Sequence, residues 1–452
     1  MFTIILIKTK QFRLLQLTQP KQKSRRVQMR SPAQIDETND ALPIVILGGG
    51  FAGLFTALHL RDLHSCPIIL IDQSWNFVFK PLLYELLSSE VKLELICPRY
   101  DALLHNSGTT FVLGTVEAID LDQKQVKLDS GLKYSYRHLV LALGSTTSYL
   151  GIPGAKEHTR SFRTAYDVFA LGQHLRNRLQ IATQTEDIEE RRAMLTVAIV
   201  GGGASGVEMA ATLADLLPTW YIPLGGNPQE IRIVILQRGS EILKESKSDR
   251  LRETAQSALQ ERTASVNILL GSEVKAVHPG TVEFERNGQR WRLAAATVIW
   301  TTGNATNPVI DSLPIPAENR DEHNRLLVKP TLQLPEFLEV FAAGDCAIDP
   351  SNPQPATAQI AYQQGAAIAH NIKALIAEKS PTPATVNLPG TLMKLGLHQS
   401  AVEIFDRYEI KGQLGQAIRL ATYLELMPTP ARNFINRTGW FTEEILKQIA
   451  GV

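Results

Sequence analysis

Two glycine-rich turns, Gly48–Gly53 and Gly201–Gly206, limit what this chain can fold into more than any other feature of its sequence. The first follows Ile44–Leu47, a short apolar run suited to a strand buried on both faces, and opens a helical pattern. In Gly48-x-Gly50-x-x-Gly53, with Ala52 beside the last glycine, each glycine has a task. Gly48 makes the tight turn, Gly50 lets backbone approach a pyrophosphate, and Gly53 lets the helix pack on the strand. The free N–H groups and dipole of that helix then hold phosphates. A second apolar run, Ile68–Ile71, ends at Asp72, 19 residues after Gly53, where a carboxylate can accept hydrogen bonds from both ribose hydroxyls. A tight turn without a ligand is the alternative for a lone motif. Strand, helix and Asp72 together favour a dinucleotide site.

The pattern returns as Val197–Val200, Gly201-x-Gly203-x-x-Gly206 and a following strand, Ile231–Leu236. Where Asp72 stood in the first unit, Gln237 stands in the second, with Arg238 next. A carboxylate here favours NADH and repels the 2′-phosphate of NADPH. An amide beside an arginine removes that repulsion and offers donors to phosphate. NADPH is therefore expected to be accepted; alternatively Gln237 only bonds a ribose hydroxyl and both cofactors serve. Two cradles imply two dinucleotides, FAD held in the first unit and a nicotinamide cofactor visiting the second.

Three shorter segments fit the same plan. Leu139–Ser145, carrying Gly144, and Val298–Asn304, carrying Gly303, are apolar strands ending in glycine where the chain would cross between domains. Phe341–Asp345 sets Asp345 directly after Gly344, suited to a ribityl hydroxyl or a phosphate-bound water. The fold class is α/β, with two Rossmann-like dinucleotide-binding domains. A formal charge of +1 argues against a nucleic-acid partner. Cys66, Cys97 and Cys346 lie far apart, with no spacing for a disulfide framework, a metal site or a redox pair. No apolar run reaches the roughly 18 residues needed to span a bilayer.

With these residues in view, the chain resembles the type II NAD(P)H:quinone oxidoreductases, single-subunit flavoproteins with two dinucleotide-binding domains. The resemblance runs from about residue 43 to about residue 440 and is carried by Gly48–Gly53 with Asp72, Phe79–Glu85, Gly201–Glu208, Gly344-Asp345 and Ala358–Gln364. The last stretch matches the AQxAxQQ quinone-site motif of that family. Asp72–Glu90 is similar to the cyanobacterial and plastid branch, which reduces plastoquinone or demethylphylloquinone. The resemblance implies hydride transfer from NADH or NADPH to FAD and then two electrons to a membrane quinone, without proton pumping.

It also implies roles for particular residues. Gln359 and Gln363 would act in catalysis and, with Tyr362 and Lys394, line the quinone site. Glu208 would lie near nicotinamide, flavin and quinone, relaying a proton, and Lys80 and Tyr84 would reach the flavin. The helix expected over Ala356–Ile376 would point its N-terminus at the flavin and stabilise its reduced anion. One helical turn separates Gln359 from Gln363, so both can face one cleft. The alternatives are a helix-start acid for Glu208, solvated glutamines for Gln359 and Gln363, and surface positions for Lys80 and Lys394.

Residues 41–153 and 305–390 are expected to form a discontinuous FAD domain, and 154–304 the NAD(P)H domain. Residues 391–452 would be a C-terminal segment for the membrane or for a homodimer. Within it Leu414, Ile418, Ala421 and Leu424 recur at helical spacing over Gln413–Met427, widened by Leu420 and Tyr423, with Lys411, Arg419, Arg432 and Arg437 alongside. Phe434, Ile435, Trp440, Phe441, Ile445 and Leu446 follow. A peripheral position on the cytoplasmic face of a thylakoid or plasma membrane is expected. Residues 1–40 carry eight Lys/Arg against three acids. They read as a disordered basic arm, as a plastid transit segment, or as sequence upstream of a start at Met29. The rivals are a disulfide reductase of the same fold, which needs a cysteine pair in the helix after the first fingerprint where only Cys66 lies near, a sulfide:quinone reductase, which needs a cysteine pair at the flavin, and a flavin-binding sensor or scaffold.

Overall fold

The computed structural model describes residues 42–428, apart from 245, 247, 389 and 405–407. The basic arm and the aromatic stretch from Phe434 lie outside the described residues. The first unit begins with β1 (Ile44–Leu47), whose four side chains are all fully buried. Helix α1 (Phe51–His59) leads to β2 (Ile68–Asp72), and the short helix α2 (Leu83–Leu87) follows. Then come β3 (Thr109–Leu113) and β4 (His138–Leu141). All pairings among these strands are parallel, and β1 lies between β2 and β4. Runs such as Ile-Val-Ile-Leu suit this place, because central parallel strands are covered on both faces and gain nothing from polar alternation.

The chain crosses to the second unit through Ser145–Thr147 and returns through Asn304–Thr306, and these two segments pair antiparallel. Between them run α3 (Ala165–Ala182), β5 (Thr196–Val200), α4 (Ala204–Tyr221), β6 (Arg232–Gln237), β7 (Ser265–Leu270) and β8 (Thr297–Trp300). The second sheet is parallel, in the order β7-β6-β5-β8. An antiparallel meander over Ser272–Ala294 joins a core that includes Val234, Val277, Phe284 and Trp300.

On return, β9 (Val340–Ala342) pairs with β4 and completes a five-stranded sheet, β9-β4-β1-β2-β3. Helix α5 (Ala358–Ile376) then packs along α1. It starts two residues later than Ala356, because the Thr357 hydroxyl accepts the Ile360 N–H and caps it.

The last described unit is a small antiparallel sheet, β10 (Gly390–Lys394), β11 (Ser400–Ile404) and β12 (Tyr408–Ile410), with α6 (Gly412–Glu425) packed on it. The orientation of α6 splits its sequence pattern. Gly415, Gln416, Arg419, Leu420 and Tyr423 face inward, while Leu414, at 60% exposure, and Ala421 face outward. Ile418 and Leu424 are half-buried. Arg419, expected among interfacial basic residues, is instead fully buried.

Candidate active site

The two glycine turns are built alike. Leu47 pairs with Ile71 and Val200 with Leu236, so the strand ends stop level in both units. The Gly48 N–H donates to Ile71 O at 2.8 Å, and the Gly201 N–H to Leu236 O at 2.9 Å. A Cβ on Gly53 would sit 1.9 Å from Gly48 O, and one on Gly206 would sit 1.9 Å from Gly201 O. Only glycine lets each helix close on its own turn. The third glycine of the motif is thus fixed by sterics in both copies.

Each loop is also tied to the end of the next strand. The Gly49 N–H donates to Asp72 Oδ2 at 2.6 Å, and the Gly202 N–H donates to Gln237 Oε1 at 2.9 Å. Asp72 Oδ1 further accepts the Ser74 N–H at 2.8 Å. Burial raises the Asp72 carboxyl, against the pull of those two N–H groups and of Lys80. Gln237 Nε2 donates to Glu241 O at 3.2 Å, so the amide is fixed at both ends. Arg238 beside it is exposed. Neither α1 nor α4 has a capping side chain or an acid in its first turn, and a Cβ on Gly50 or Gly203 would meet nothing within 4 Å. Two helix N-termini with uncapped N–H groups and room for close approach at the middle glycine fit a pyrophosphate in each unit.

The first cradle continues toward the crossing strands. Gly144, Gly303 and Gly344 all have positive φ and turn the chain sharply after β4, β8 and β9. The Ser145 hydroxyl donates to Asp345 Oδ2 at 2.7 Å. Arg163 donates to Ser145 O at 2.7 Å, to its hydroxyl at 2.9 Å and to Asn304 Oδ1 at 3.3 Å. Nothing in the local sequence marks Arg163 for this place. Burial, then the Arg163 charge, lowers the Lys80 ammonium, while Asp345 and Asp72 oppose that. The Lys80 side chain is nevertheless exposed at the surface, the alternative its sequence position left open, and feels both carboxylates through space.

Helix α5 uses its glutamines in different ways. Gln363 Nε2 donates to Asn387 O at 2.7 Å, and the Asn387 N–H donates back to Gln363 Oε1 at 2.9 Å. Gln363 also donates to Gln359 O at 3.2 Å. Gln364, quoted within the motif but given no role, accepts the Gly344 N–H at 2.8 Å and holds the turn before Asp345. The Gln359 side chain is half-buried. Tyr362 packs edge-on against Phe55 of α1, with ring centroids 4.5 Å apart. Among the described residues, no hydrogen bond links these α5 side chains to Glu208 or Lys394.

Glu208 and Lys394 do come together. The Lys394 N–H donates to Glu208 Oε1 at 2.8 Å, and Glu208 lies beyond the first turn of α4, too deep for a helix-start acid. Burial lifts its carboxyl to about 7, against the Arg419 charge and the Lys394 N–H bond. Lys394 has no exposed surface. Its Nζ donates to Glu85 Oε1 at 2.9 Å and to Glu90 Oε1 at 3.1 Å. Arg419 donates to Glu85 Oε1 at 2.6 Å and to Pro81 O at 3.0 Å, with its guanidinium 4.8 Å from the Tyr423 ring centre. Burial works to raise the Glu85 carboxyl, but Arg419 and Lys394 outweigh it and hold it at about 2. Tyr84 lies in the same place. Its hydroxyl donates to Ser205 O at 3.2 Å, joining the first unit to the second glycine turn.

These elements together can hold two dinucleotides near their meeting line and present there a carboxyl able to exchange a proton near neutral pH. The three thiols are all buried, and burial pushes Cys346 up to about 12, which disfavours the thiolate a cysteine-based reductase would need.

Comparison with known proteins bears on this arrangement. The model of the family described as pyridine nucleotide-disulphide oxidoreductase matches residues 42–365. The demethylphylloquinone reductase NdbB of Synechocystis sp. is 34% identical over 419 residues, covering 90% of this chain and 97% of that protein. The alternative NAD(P)H-ubiquinone oxidoreductase C1, chloroplastic/mitochondrial, of Arabidopsis thaliana is 31% identical, covering 90% of this chain and 82% of its own length. Among solved structures, NDH2 from Plasmodium falciparum in complex with NADH superposes with a TM-score of 0.77 at 19% identity, over 88% of this chain and 98% of that one.

Proposed function

The chain belongs to the pyridine nucleotide-disulphide oxidoreductase family, in its type II NAD(P)H:quinone oxidoreductase branch, and from that premise we propose how its residues divide the work. It is an FAD-dependent enzyme that oxidises NAD(P)H and reduces a quinone. The observation that carries the reading is the placement of Glu208. This titratable carboxylate sits on the helix of the second cradle and is held by Lys394, while Tyr84 ties the first unit to the same turn.

Gly48, Gly50, Ala52, Gly53, Asp72, Lys80, Gly144, Gly344 and Asp345 would hold the FAD. Gly201, Gly203, Gly206, Gln237, Arg238 and Gly303 would hold the nicotinamide cofactor. When bound, the FAD supplies the hydride-accepting and electron-passing chemistry. The protein's part is to align the rings, exclude water and manage protons. NAD(P)H, quinone and one proton give NAD(P)+ and quinol. Glu208, protonated below about 7, is placed to deliver that proton. Gln359 and Tyr362 remain proposed quinone contacts, whereas Lys394, expected beside them, is fully buried with its ammonium engaged by Glu85 and Glu90. Gln363 is proposed to act through the 387 segment it grips, since both ends of its amide are engaged there.

The proposed quinone is a lipid-soluble one of the demethylphylloquinone or plastoquinone type, supported by the 34% identity to a demethylphylloquinone reductase. No helix among the described residues is long and apolar enough to cross a membrane. A peripheral seat on a bilayer is proposed instead, supported by the outward Leu414 and Ala421 of α6.

The test is direct. Purified protein is expected to be yellow, to sediment with anionic liposomes, and to reduce liposome-borne quinone with either NADPH or NADH. A colourless preparation that stays so with excess FAD would overturn the reading. Because Gln237 brings no negative charge to the ribose end, NADPH is expected to serve. Gln237→Asp keeps an acceptor for Gly202 and should lower kcat/KM for NADPH at least 10-fold relative to NADH, roughly the cost of one buried like-charge contact. An unchanged ratio would mean that the 2′ position lies elsewhere.

A further inference from the structure

Arg419, far from both cradles in sequence, reaches the same buried cluster as Glu208 from a different part of the chain. From the geometry we infer that Arg419 is a positioning residue of the quinone-reducing step: through Glu85 it latches helix α6 onto the body and supplies the positive charge that the buried carboxylates require. The inference rests on the function proposed above.

The charge count supports it. The cluster holds Glu85, Glu90 and Glu208 as acids and Lys394 and Arg419 as cations, with the Tyr84 and Tyr423 hydroxyls as neighbours. With Glu208 protonated the formal charges cancel. With Glu208 ionised one negative charge is left over in a buried place. Glu85 cannot take up the slack, because two cations hold it ionised. Burial raises both Glu90 and Glu208; Lys394 opposes the rise at Glu90, and at Glu208 the Arg419 charge is the strongest influence against it.

The geometry also ties this charge to one helix. The Arg419 guanidinium is fastened to Glu85 of α2 and to Pro81 O just before it, and Phe79 packs edge-on against Tyr423 with centroids 5.7 Å apart. Glu85 Oε2 and Arg419 Nε are both buried without a protein partner, so water is the natural occupant beside them. Helix α6 presents apolar side chains outward and this one buried cation inward. A shift of α6 would therefore move charge at the proton site.

The test reads the pH dependence of quinone reduction in the intact enzyme. In the wild type the rate is expected to fall above about pH 7 as Glu208 ionises. Arg419→Gln removes a nearby positive charge and should move that fall upward by about one pH unit. Arg419→Lys keeps the charge and should leave it in place. Glu85→Gln removes a negative charge and should move the fall downward, so it carries the test with reversed sign where Arg419→Gln yields no folded enzyme. Flavin reduction by NADPH, followed by stopped flow, should keep its pH profile in all three variants. A fall that stays put in Arg419→Gln or Glu85→Gln, or that moves in Arg419→Lys, overturns the inference. A wild-type protein that reduces no quinone overturns the proposed function instead, so the two failures are distinct.

Discussion

Glu208→Gln is expected to slow quinone reduction about 100-fold while leaving flavin reduction by NAD(P)H within about twofold of the wild type, the usual scale for loss of a positioned proton donor. Glutamine keeps an oxygen for the Lys394 N–H, so the loop before Gly396 should stay seated. What it cannot do is give up a proton. The wild-type profile should fall above about pH 7, because a carboxyl raised to that value is a donor below it and an ionised bystander above it. In Glu208→Gln this fall should disappear and the residual rate should be flat. Double-mixing stopped flow separates the two half-reactions. Equal slowing of both would assign Glu208 to nucleotide binding rather than to the proton.

Glu85→Ala should cost about 3–5 kcal/mol of folding stability, the penalty for leaving a buried charge without its partner. Two such charges are at stake, since Lys394 and Arg419 both have no exposed surface and share Glu85 Oε1. The wild type should show the matching acid sensitivity. Because the Glu85 carboxyl is held at about 2 against an ordinary 4.5, its contribution is complete above 4.5 and is lost as pH falls toward about 2. Urea unfolding at pH 7 measures the first effect, and the same experiment at pH 3 should narrow the gap between variant and wild type. A loss below about 1 kcal/mol at pH 7 would mean that water reaches the cluster and replaces Glu85.

The fold was largely legible because its signals are local. β1 and β5 announce themselves as apolar runs ending in glycine, and Asp72 and Gln237 follow at the expected spacing. Such β-α-β units are specified by strand burial and turn sterics within some thirty residues. Helix α5 starts two residues after the point its apolar pattern suggests, because the Thr357 hydroxyl caps it. The charge cluster was not legible at all. Glu85 and Arg419 are 334 residues apart, and nothing in either neighbourhood names the other.

Helix α6 shows what pattern alone leaves open. Leu414, Ile418, Ala421 and Leu424 form the apolar stripe that periodicity assigns to a buried or membrane-seated face. The face that packs on the protein carries the stripe's flank, Leu420 and Tyr423, together with Gly415, Gln416 and Arg419, because its partners include a buried carboxylate and not only a hydrocarbon core. Arg163 escaped notice for a similar reason. Its bonds to Ser145 and Asn304 gather three segments that only the crossing between units brings together.

The paired ties from Gly49 to Asp72 and from Gly202 to Gln237 set a carboxylate in one unit where the other has an amide, and under the proposed division of cofactors that contrast suits a lodger in the first and a visitor in the second. An N–H bonded to an ionised acceptor is held roughly twice as strongly as one bonded to a neutral amide. One loop is therefore set stiffly ahead of its guest, as long tenancy requires. The other yields a little more readily, as suits a nucleotide that must enter and leave at every turnover.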